Sequence, residues 1–383
     1  MNLEMETTHK AFSFILIIAQ CFATFPVSGI LNNNVQRLKL NFRDVRVYYC
    51  FFYLISLLIN MGFYVLKIAK EVKFGYFVTL LFYSCSFVTT IIFLVIAKNW
   101  NKLMQFWTRI DVKMEYRRYG FPKKLKKKIW LITIFVLFGA VCKLFYASSN
   151  IPSNGLEAVN EFLRTINQHI FYYIPYGFLL GLFFELISVF STFTWNYMDL
   201  FIMVISISLS ERFQQVSTRI LQIIQSNISD INTWKEIRED YNNLSVLCKK
   251  IDFFIGDLIL LSFANNVFVI LVQLLNTLEP KSNNDIIGRL YFICSFGFLI
   301  IRTILVCMFA SKVYDESQRS FGKLNSLPNH FYNVEIDRLL IQINVDPCCL
   351  TGRRLFNVKK SLILSIAGAI VTYELILIQF HVN

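Results

Sequence analysis

Seven stretches of this chain are apolar almost without interruption: 45–66, 76–97, 129–146, 170–194, 253–275, 289–310 and 361–380. Each is close to the roughly 20 residues that a helix needs to cross a ~30 Å hydrocarbon core. Within lipid, each backbone N–H and C=O must find its partner inside its own segment, so runs of this length become helices. The chain has 383 residues, 55% of them hydrophobic and 39 of them Phe, which is more apolar than an average soluble domain. The expected fold class is all-α: a polytopic membrane protein with seven transmembrane helices. The fourth run does not stop cleanly, because its apolar spacing resumes at 201–209 beyond Trp195-Asn196. Helical throughout, it would be ~60 Å long at 1.5 Å per residue, so its far half must project from the membrane.

The charge pattern orients these spans. Lys and Arg number four in residues 1–44, eleven in 98–128, six in 210–252 and eight in 311–360. The alternate connections hold three in 67–75, one in 147–169 and one in 276–288, so the split is 29 against 5. The positive-inside rule then puts the N-terminus in the cytoplasm and the C-terminus outside. That is opposite to a metabotropic seven-helix receptor. The formal charge of +13 needs no nucleic acid, since the basic run at 123–128 abuts a span and reads as an anchor beside anionic lipid. The sequons at Asn227 and Asn243 fall on the inner side and should stay unglycosylated.

The expected organisation follows. Residues 1–44 are a cytoplasmic segment whose apolar stretch at 12–27 is short for a span and reads as interfacial or re-entrant. Residues 45–194 hold helices one to four, 253–310 hold five and six, and 361–383 hold the seventh with a short outer tail. Between them, 195–252 is a cytoplasmic helical extension and 311–360 a cytoplasmic connection. Within 210–252, Phe213, Val216, Ile220, Ile223 and Ile224 recur at helical spacing, as do Trp234, Ile237, Tyr241 and Leu244. Such amphipathic faces need a partner, which implies a cytoplasmic helical layer. Cys348 and Cys349 are adjacent, too close for a metal or redox Cys-x-x-Cys pair; an unmodified loop pair or a lipid attachment both suit them.

Polar residues inside spans are costly and mark either function or helix–helix glue. Glu185 and Arg302 sit at similar depth when counted from the outer ends of the fourth and sixth runs, which predicts an intramembrane polar brace. In the last run, Thr372, Leu375, Ile376 and Gln379 share one helical face, while Glu374 lies off it. That face serves either a water-filled path or a polar helix contact. Small polar ligands are held in a concave site that combines apolar and aromatic walls with a few convergent polar groups. The outer halves of the spans offer Tyr83, Tyr146, Tyr172, Tyr176, Asn266, Gln273 and Ser295, although tyrosine also belts ordinary membrane interfaces. His9, His169, His330 and His381 lie in four separate regions with no acid at metal spacing. No metal site, cofactor site, phosphate loop or catalytic constellation is expected, so the chain does not read as an enzyme.

Thr372-Tyr373-Glu374 followed after four residues by Gln379-Phe380 resembles the C-terminal signature of insect gustatory receptors, and the Glu after Thr-Tyr resembles their sugar-receptor branch. Ala19-Gln20-Cys21-Phe22, Phe25-Pro26-Val27-Ser28-Gly29-Ile30, the block at 194–203, Leu209-Ser210-Glu211-Arg212-Phe213 and the block at 260–266 resemble other segments of that family in order. The resemblance implies a sugar-gated, non-selective cation channel of four subunits, homomeric or shared with related receptors, in the plasma membrane of taste-neuron dendrites. It implies a central pore lined by Thr372, Leu375, Ile376, Gln379 and Phe380. Tyr373 and Glu374 would couple the gate to a ligand pocket in the outer half of each subunit. A channel of the same build for a bitter or contact chemical is the alternative, and a metabotropic receptor a further one that the charge pattern opposes.

Overall fold

The computed structural model describes residues 7–32, 34–122, 124–149, 156–278, 286–328 and 332–382. Side chains at 140–149, 156, 278, 286–289, 291, 377–378 and 380–382 lie outside the description. Twelve α-helices run in the order α1 Thr8–Cys21, α2 Val45–Lys70, α3 Phe74–Tyr116, α4 Leu125–Ser149, α5 Leu156–Ile166, α6 Gln168–Phe171, α7 Phe178–Gln225, α8 Ile231–Leu278, α9 Ile286–Gln318, α10 Phe321–Asn325, α11 Val334–Val345 and α12 Ser361–Val382. Extended pairing among the described residues is confined to two isolated bridges, Ser28 with Lys39 and Thr351 with Asn357. Five helices, α2, α3, α7, α8 and α9, are long and apolar enough to cross a membrane.

Starts and stops follow local chemistry. Asp44 caps α2 by accepting from the Arg46 N–H at 3.1 Å, and Asp230 caps α8 by accepting from Thr233 N–H at 3.0 Å. Asn333 caps α11 through the N–H groups of Glu335 and Ile336, both at 3.0 Å. Each satisfies donors that a helix start leaves orphaned. Gly29 turns at φ +84°, where an added Cβ would meet the Arg37 carbonyl oxygen at 2.4 Å; only glycine lets the Ser28–Lys39 bridge close.

α7 is the axis of the molecule. Every residue from 196 to 213 is buried, because α1, α3, α4, α8 and α9 surround it. A helix so enclosed carries apolar residues on every face; Asn196, Asp199, Glu211 and Arg212 find partners on neighbouring helices, and serine hydroxyls turn back onto their own helix, Ser206 donating to Ile202 O at 2.7 Å and Ser208 to Val204 O at 2.8 Å.

α3, α7, α8 and α9 extend beyond one end of the apolar spans and form a helical layer with α1 and α11. The stripe Trp100, Leu103, Met104, Trp107, Ile110 and Met114 keeps α3 helical to Tyr116, so the region read as a basic connection at 98–128 begins as helix. α1 packs on that stripe rather than lying free at an interface. Phe12 is fully buried and meets Trp107 edge-on at 5.7 Å. Close packing of these aromatics stabilises the layer, by about 3–5 kcal/mol for a core aromatic truncated to Ala. Phe25 accepts a left-handed φ of +56°, a strain of order 1–3 kcal/mol, offset by a ring buried against Trp100 at 5.1 Å.

Ion pairs tie the layer together. Arg212 of α7 donates to Asp111 of α3 at 2.7 Å, and Asp111 also accepts the Thr8 N–H of α1 at 2.9 Å. Arg117 of α3 reaches Asp240 of α8 at 2.6 Å. Arg238 of α8 pairs with Glu335 of α11, and Lys128 of α4 with Glu211 of α7. Cys348 is buried and faces the Tyr241 hydroxyl at 3.9 Å, whereas Cys349 is half-buried with its Sγ 3.5 Å from Asn357 Oδ1. A lipid on Cys348 would have to displace that packing.

Candidate ligand cavity and the helix that closes the chain

A cavity of about 290 Å³ opens between α4, α7, α8 and α9. Its walls carry Phe138 and Gly139 of α4, Thr192, Trp195 and Asn196 of α7, Val269 and Gln273 of α8, and Ser295, Phe298 and Arg302 of α9. Gly139 has a specific role: a Cβ there would overlap the Phe298 ring at 2.1 Å, so the bare backbone of α4 admits that ring. Phe298 also stands 5.4 Å from Phe135 and 5.8 Å from the Arg302 guanidinium. Trp195 holds the other side of the guanidinium at 4.2 Å.

Below the cavity lies a buried polar cluster. Arg302 is 1% exposed, with its Nε 2.8 Å from Asp199 Oδ2, an ion-pair distance at which the N–H points off the oxygen. Its two Nη groups donate to Asn196 Oδ1 at 2.5 Å and Asn266 Oδ1 at 2.9 Å. Asn266 in turn donates to Asp199 Oδ2 at 3.0 Å, and Ser262 donates to Oδ1. A charge at this depth is tolerable because an opposite charge and several hydrogen bonds surround it.

The cluster corrects the brace expected between Glu185 and Arg302: the acid opposite Arg302 is Asp199. Depth explains the change. Residues 168–177 are not span, since α6 ends at Phe171 and Pro175 and Gly177 precede the start of α7 at Phe178. Glu185 is therefore near the outer end of α7, while Asp199 lies ~20 Å further along at 1.5 Å per residue. Glu185 acts on Tyr64 and Tyr83 instead. Asp199 was missed because it looked like part of a break. Its signal was Asn196 and Asp199 three apart, matched by Ser262 and Asn266 four apart, each pair on one helical face.

The other expected ligand contacts divide. Gln273 and Ser295 line the cavity, and Asn266 sits just beneath it. Tyr83 is packed in a second cluster between α2, α3, α6 and α7, beside Tyr64 at 5.7 Å. There Tyr64 stacks on His169 at 3.8 Å, and His169 Nε2 meets Asn60 Oδ1 at 3.0 Å. Tyr176 donates to Asn160 at 2.8 Å, and the exposed Tyr172 lies under Lys67 at 4.3 Å. The side chain of Tyr146 is outside the description. The residues sequence reasoning did not find are Trp195, Phe298, Phe138 and Asn196; Phe138 and Phe298 were two of many aromatics inside spans, and Trp195 and Asn196 fell just past the end of the fourth run.

Besides the Arg302 Nε–H, two polar atoms in the cavity walls are left over. Gln273 Oε1 and Trp195 Nε1 are buried, and neither has a hydrogen-bond partner among the described residues. One is an acceptor and the other a donor. Leaving such groups unpaired costs about 1–3 kcal/mol each, and a hydroxyl, which donates and accepts, answers both.

α12 packs chiefly on α8 and α9. Its foot is clamped: Arg353 pairs with Asp257, Thr351 N–H donates to Asp252 at 2.6 Å, and Lys360 reaches Asp315 at 2.9 Å. Thr372, Tyr373, Leu375, Ile376 and Gln379 are exposed on this helix, whereas Glu374 turns inward. The side chain of Phe380 lies outside the description.

A bundle of long apolar helices with a cavity among four of them, a helical layer at one end and an incompletely covered last helix is a multi-pass membrane protein. The solved insect olfactory receptor OR5 from Machilis hrabei shares the fold, with TM-score 0.69 at 15% identity over 97% of this chain and 98% of that one; its complex with eugenol matches equally. The family model for trehalose receptors matches residues 2–383, and the chain belongs to that family. Among Drosophila melanogaster proteins it is 32% identical to gustatory receptor for sugar taste 64f, over 97% of this chain and 81% of that protein. It is 30% identical to gustatory receptor for sugar taste 64a, over 98% and 85%. Against gustatory receptor 5a for trehalose the identity is 28%, over 97% and 85%. These relatives are receptors, not enzymes.

Proposed function

We propose that this chain is a subunit of a sugar-gated, non-selective cation channel in the plasma membrane of taste-neuron dendrites. The observation that carries the reading is the cavity between α4, α7, α8 and α9. It offers aromatic walls at Trp195 and Phe298, an orphaned acceptor at Gln273 and an orphaned donor at Trp195, the complement of a ring with apolar faces and hydroxyl edges. Membership in a family of trehalose and sugar-taste receptors supports the same ligand class.

The pore is assigned to α12 of four assembled copies, of this chain alone or with related receptors. Thr372, Leu375, Ile376 and Gln379 are exposed on the single chain, which suits a surface that meets water or a neighbour. Apolar rings at Leu375 and Ile376 gate by dewetting, and an amide ring at Gln379 replaces ion hydration; Phe380 belongs to the same outer part. In this reading all seven long helices cross the membrane, the N-terminus and the helical layer are cytoplasmic, and the tail after α12 is outside. Sugar opens the pore to the extent that it binds the open state more tightly. Tyr373 and Glu374 stand between the pore face and the bundle.

The test is current recording from cells expressing the full chain, alone and with related subunits, against a panel of sugars. Gln273→Leu should raise the half-activating sugar concentration about tenfold or more, the loss of one or two hydrogen bonds. It should leave folding intact, because it also removes an unsatisfied buried acceptor. An unchanged dose–response curve would refute the pocket.

A further inference from the structure

α12 does not lie flush against the bundle. Leu362, Ile363 and Ile366 near its foot join the main core. Above them, a second cavity of about 350 Å³ separates α12 from α8 and α9. None of its lining residues belongs to the first cavity. The walls are aliphatic and aromatic: Ile270 and Leu274 on α8, Phe296 and Ile300 on α9, Ile366 and Ile370 on α12. Two of its polar groups are already engaged. Thr303 donates to Leu299 O at 2.8 Å, and Cys307 reaches Lys359 O at 3.8 Å. The remaining polar lining group is Glu374, which has no ion pair and no hydrogen bond among the described residues.

A slot with such walls excludes water, and a carboxylate at its rim, at membrane depth, is stabilised by a cation. We propose that this cleft is a binding site for amphiphilic cations, an alkyl or aryl body in the slot and an ammonium group against Glu374. Anionic amphiphiles meet repulsion at the same rim. Neutral alcohols of the same length fill the slot without the ion pair. The site is distinct from the sugar cavity and adds a second ligand class, one that acts on the last helix directly by wedging its outer half away from α8 and α9.

The experiment uses purified full-length protein in lipid nanodiscs and decylamine carrying a diazirine, with labelled peptides mapped by mass spectrometry. Labels are expected in 300–307 and 363–374. Unlabelled decylamine should compete at about tenfold lower concentration than decanol, the equivalent of about 1.4 kcal/mol, and decanoate should compete least. Glu374→Gln should erase that ranking. Ile370→Trp should fill the slot and abolish labelling, with Ala367→Leu as the second filling variant should the first not fold. Gln273→Leu should label as the parent does, so failure here and failure of the sugar pocket are separable. Labels confined to other segments, equal competition by all three probes, or full labelling of both filled variants would overturn the proposal. So would absent labelling accompanied by Ile370→Cys disulfides between copies, which would show a neighbouring copy in the cleft.

Discussion

The cluster around Arg302 makes the sharpest energetic prediction. Arg302 and Asp199 are 1% and 0% exposed, and removing one partner of such a pair leaves a buried charge, at about 3–5 kcal/mol. Arg302→Met strands Asp199, and Asp199→Leu strands Arg302. At roughly 2–4 °C per kcal/mol, and toward the low side for a long chain, each variant should melt roughly 5–15 °C below the parent. The double variant is different. It removes both charges and leaves Asn196 Oδ1 and Asn266 Oδ1 without the guanidinium, while Asn196 keeps its 2.8 Å bond to Thr192 O. The Ser262 hydroxyl and Asn266 Nδ2 lose Asp199 as well, although they already stand 3.5 Å from one another; these neutral losses, set against better apolar packing, amount to roughly 1–3 kcal/mol. The double variant should therefore be more stable than either single. Melting of purified protein, followed by intrinsic fluorescence, measures this. Singles that melt with the parent, or a double that loses the sum of both, would show that the cluster is not one coupled unit.

Gln379→Ala should alter relative cation permeability in recordings while leaving the sugar concentration for half-activation nearly unchanged; unaltered permeation counts against its place in the pore. Burial lowers the pKa of His9, and it lowers that of His169 to about 4. The unfolded chain then binds more protons than the folded one below pH ~6.5, so stability is intact at neutral pH and falls as pH drops, by about 2 kcal/mol at pH 5 for His169, with His9 acting in the same direction. A His9→Gln/His169→Gln double variant should flatten that slope in melting curves taken from pH 7.5 to 5, and an unchanged slope would refute the assignment. Asn227 and Asn243 should carry no glycan, while an epitope after Asn383 should be reached by antibody on intact cells; a labelled sequon would invert the orientation.

The helical spans were legible because lipid-length apolar runs leave few alternatives, and α2, α9 and α12 begin within a few residues of where the runs do. The start of α7 was not legible. Residues 170–177 are as apolar as a span, and Pro175 had to be weighed against that composition. An error of two turns there misplaced Glu185 by ~12 Å and hid Asp199. The helix that α1 packs against was not legible for a related reason. The length of α1 excluded a span, but an apolar segment of that length packs equally well on a membrane surface or on another helix. The stripe from Trp100 to Met114 that receives it sat in a stretch so basic that it read as connection. Tyr83, Tyr172 and Tyr176 fall away from the cavity between α4, α7, α8 and α9, and aromatic residues near an interface are abundant for reasons unrelated to ligands. Gln273, Asn266 and Ser295 converged because an amide or hydroxyl inside a span needs a partner, and partners cluster.

The two cavities share a wall. On α8, Val269 and Gln273 face the first cavity, and the next residues along, Ile270 and Leu274, face the cleft behind α12. On α9 the alternation repeats: Ser295, Leu299 and Arg302 face one way, Phe296, Ile300 and Thr303 the other. A helix pair with cavities on both sides cannot move into one without enlarging the other, since packed interiors are nearly incompressible. The foot of α12 is pinned at Asp257, Asp252 and Asp315, so displacement of that wall is taken up by the outer half, where Glu374 turns inward and Leu375, Ile376 and Gln379 turn out. The inward carboxylate of Glu374, costly in lipid, thus sits where α8 and α9 meet the helix assigned to the gate.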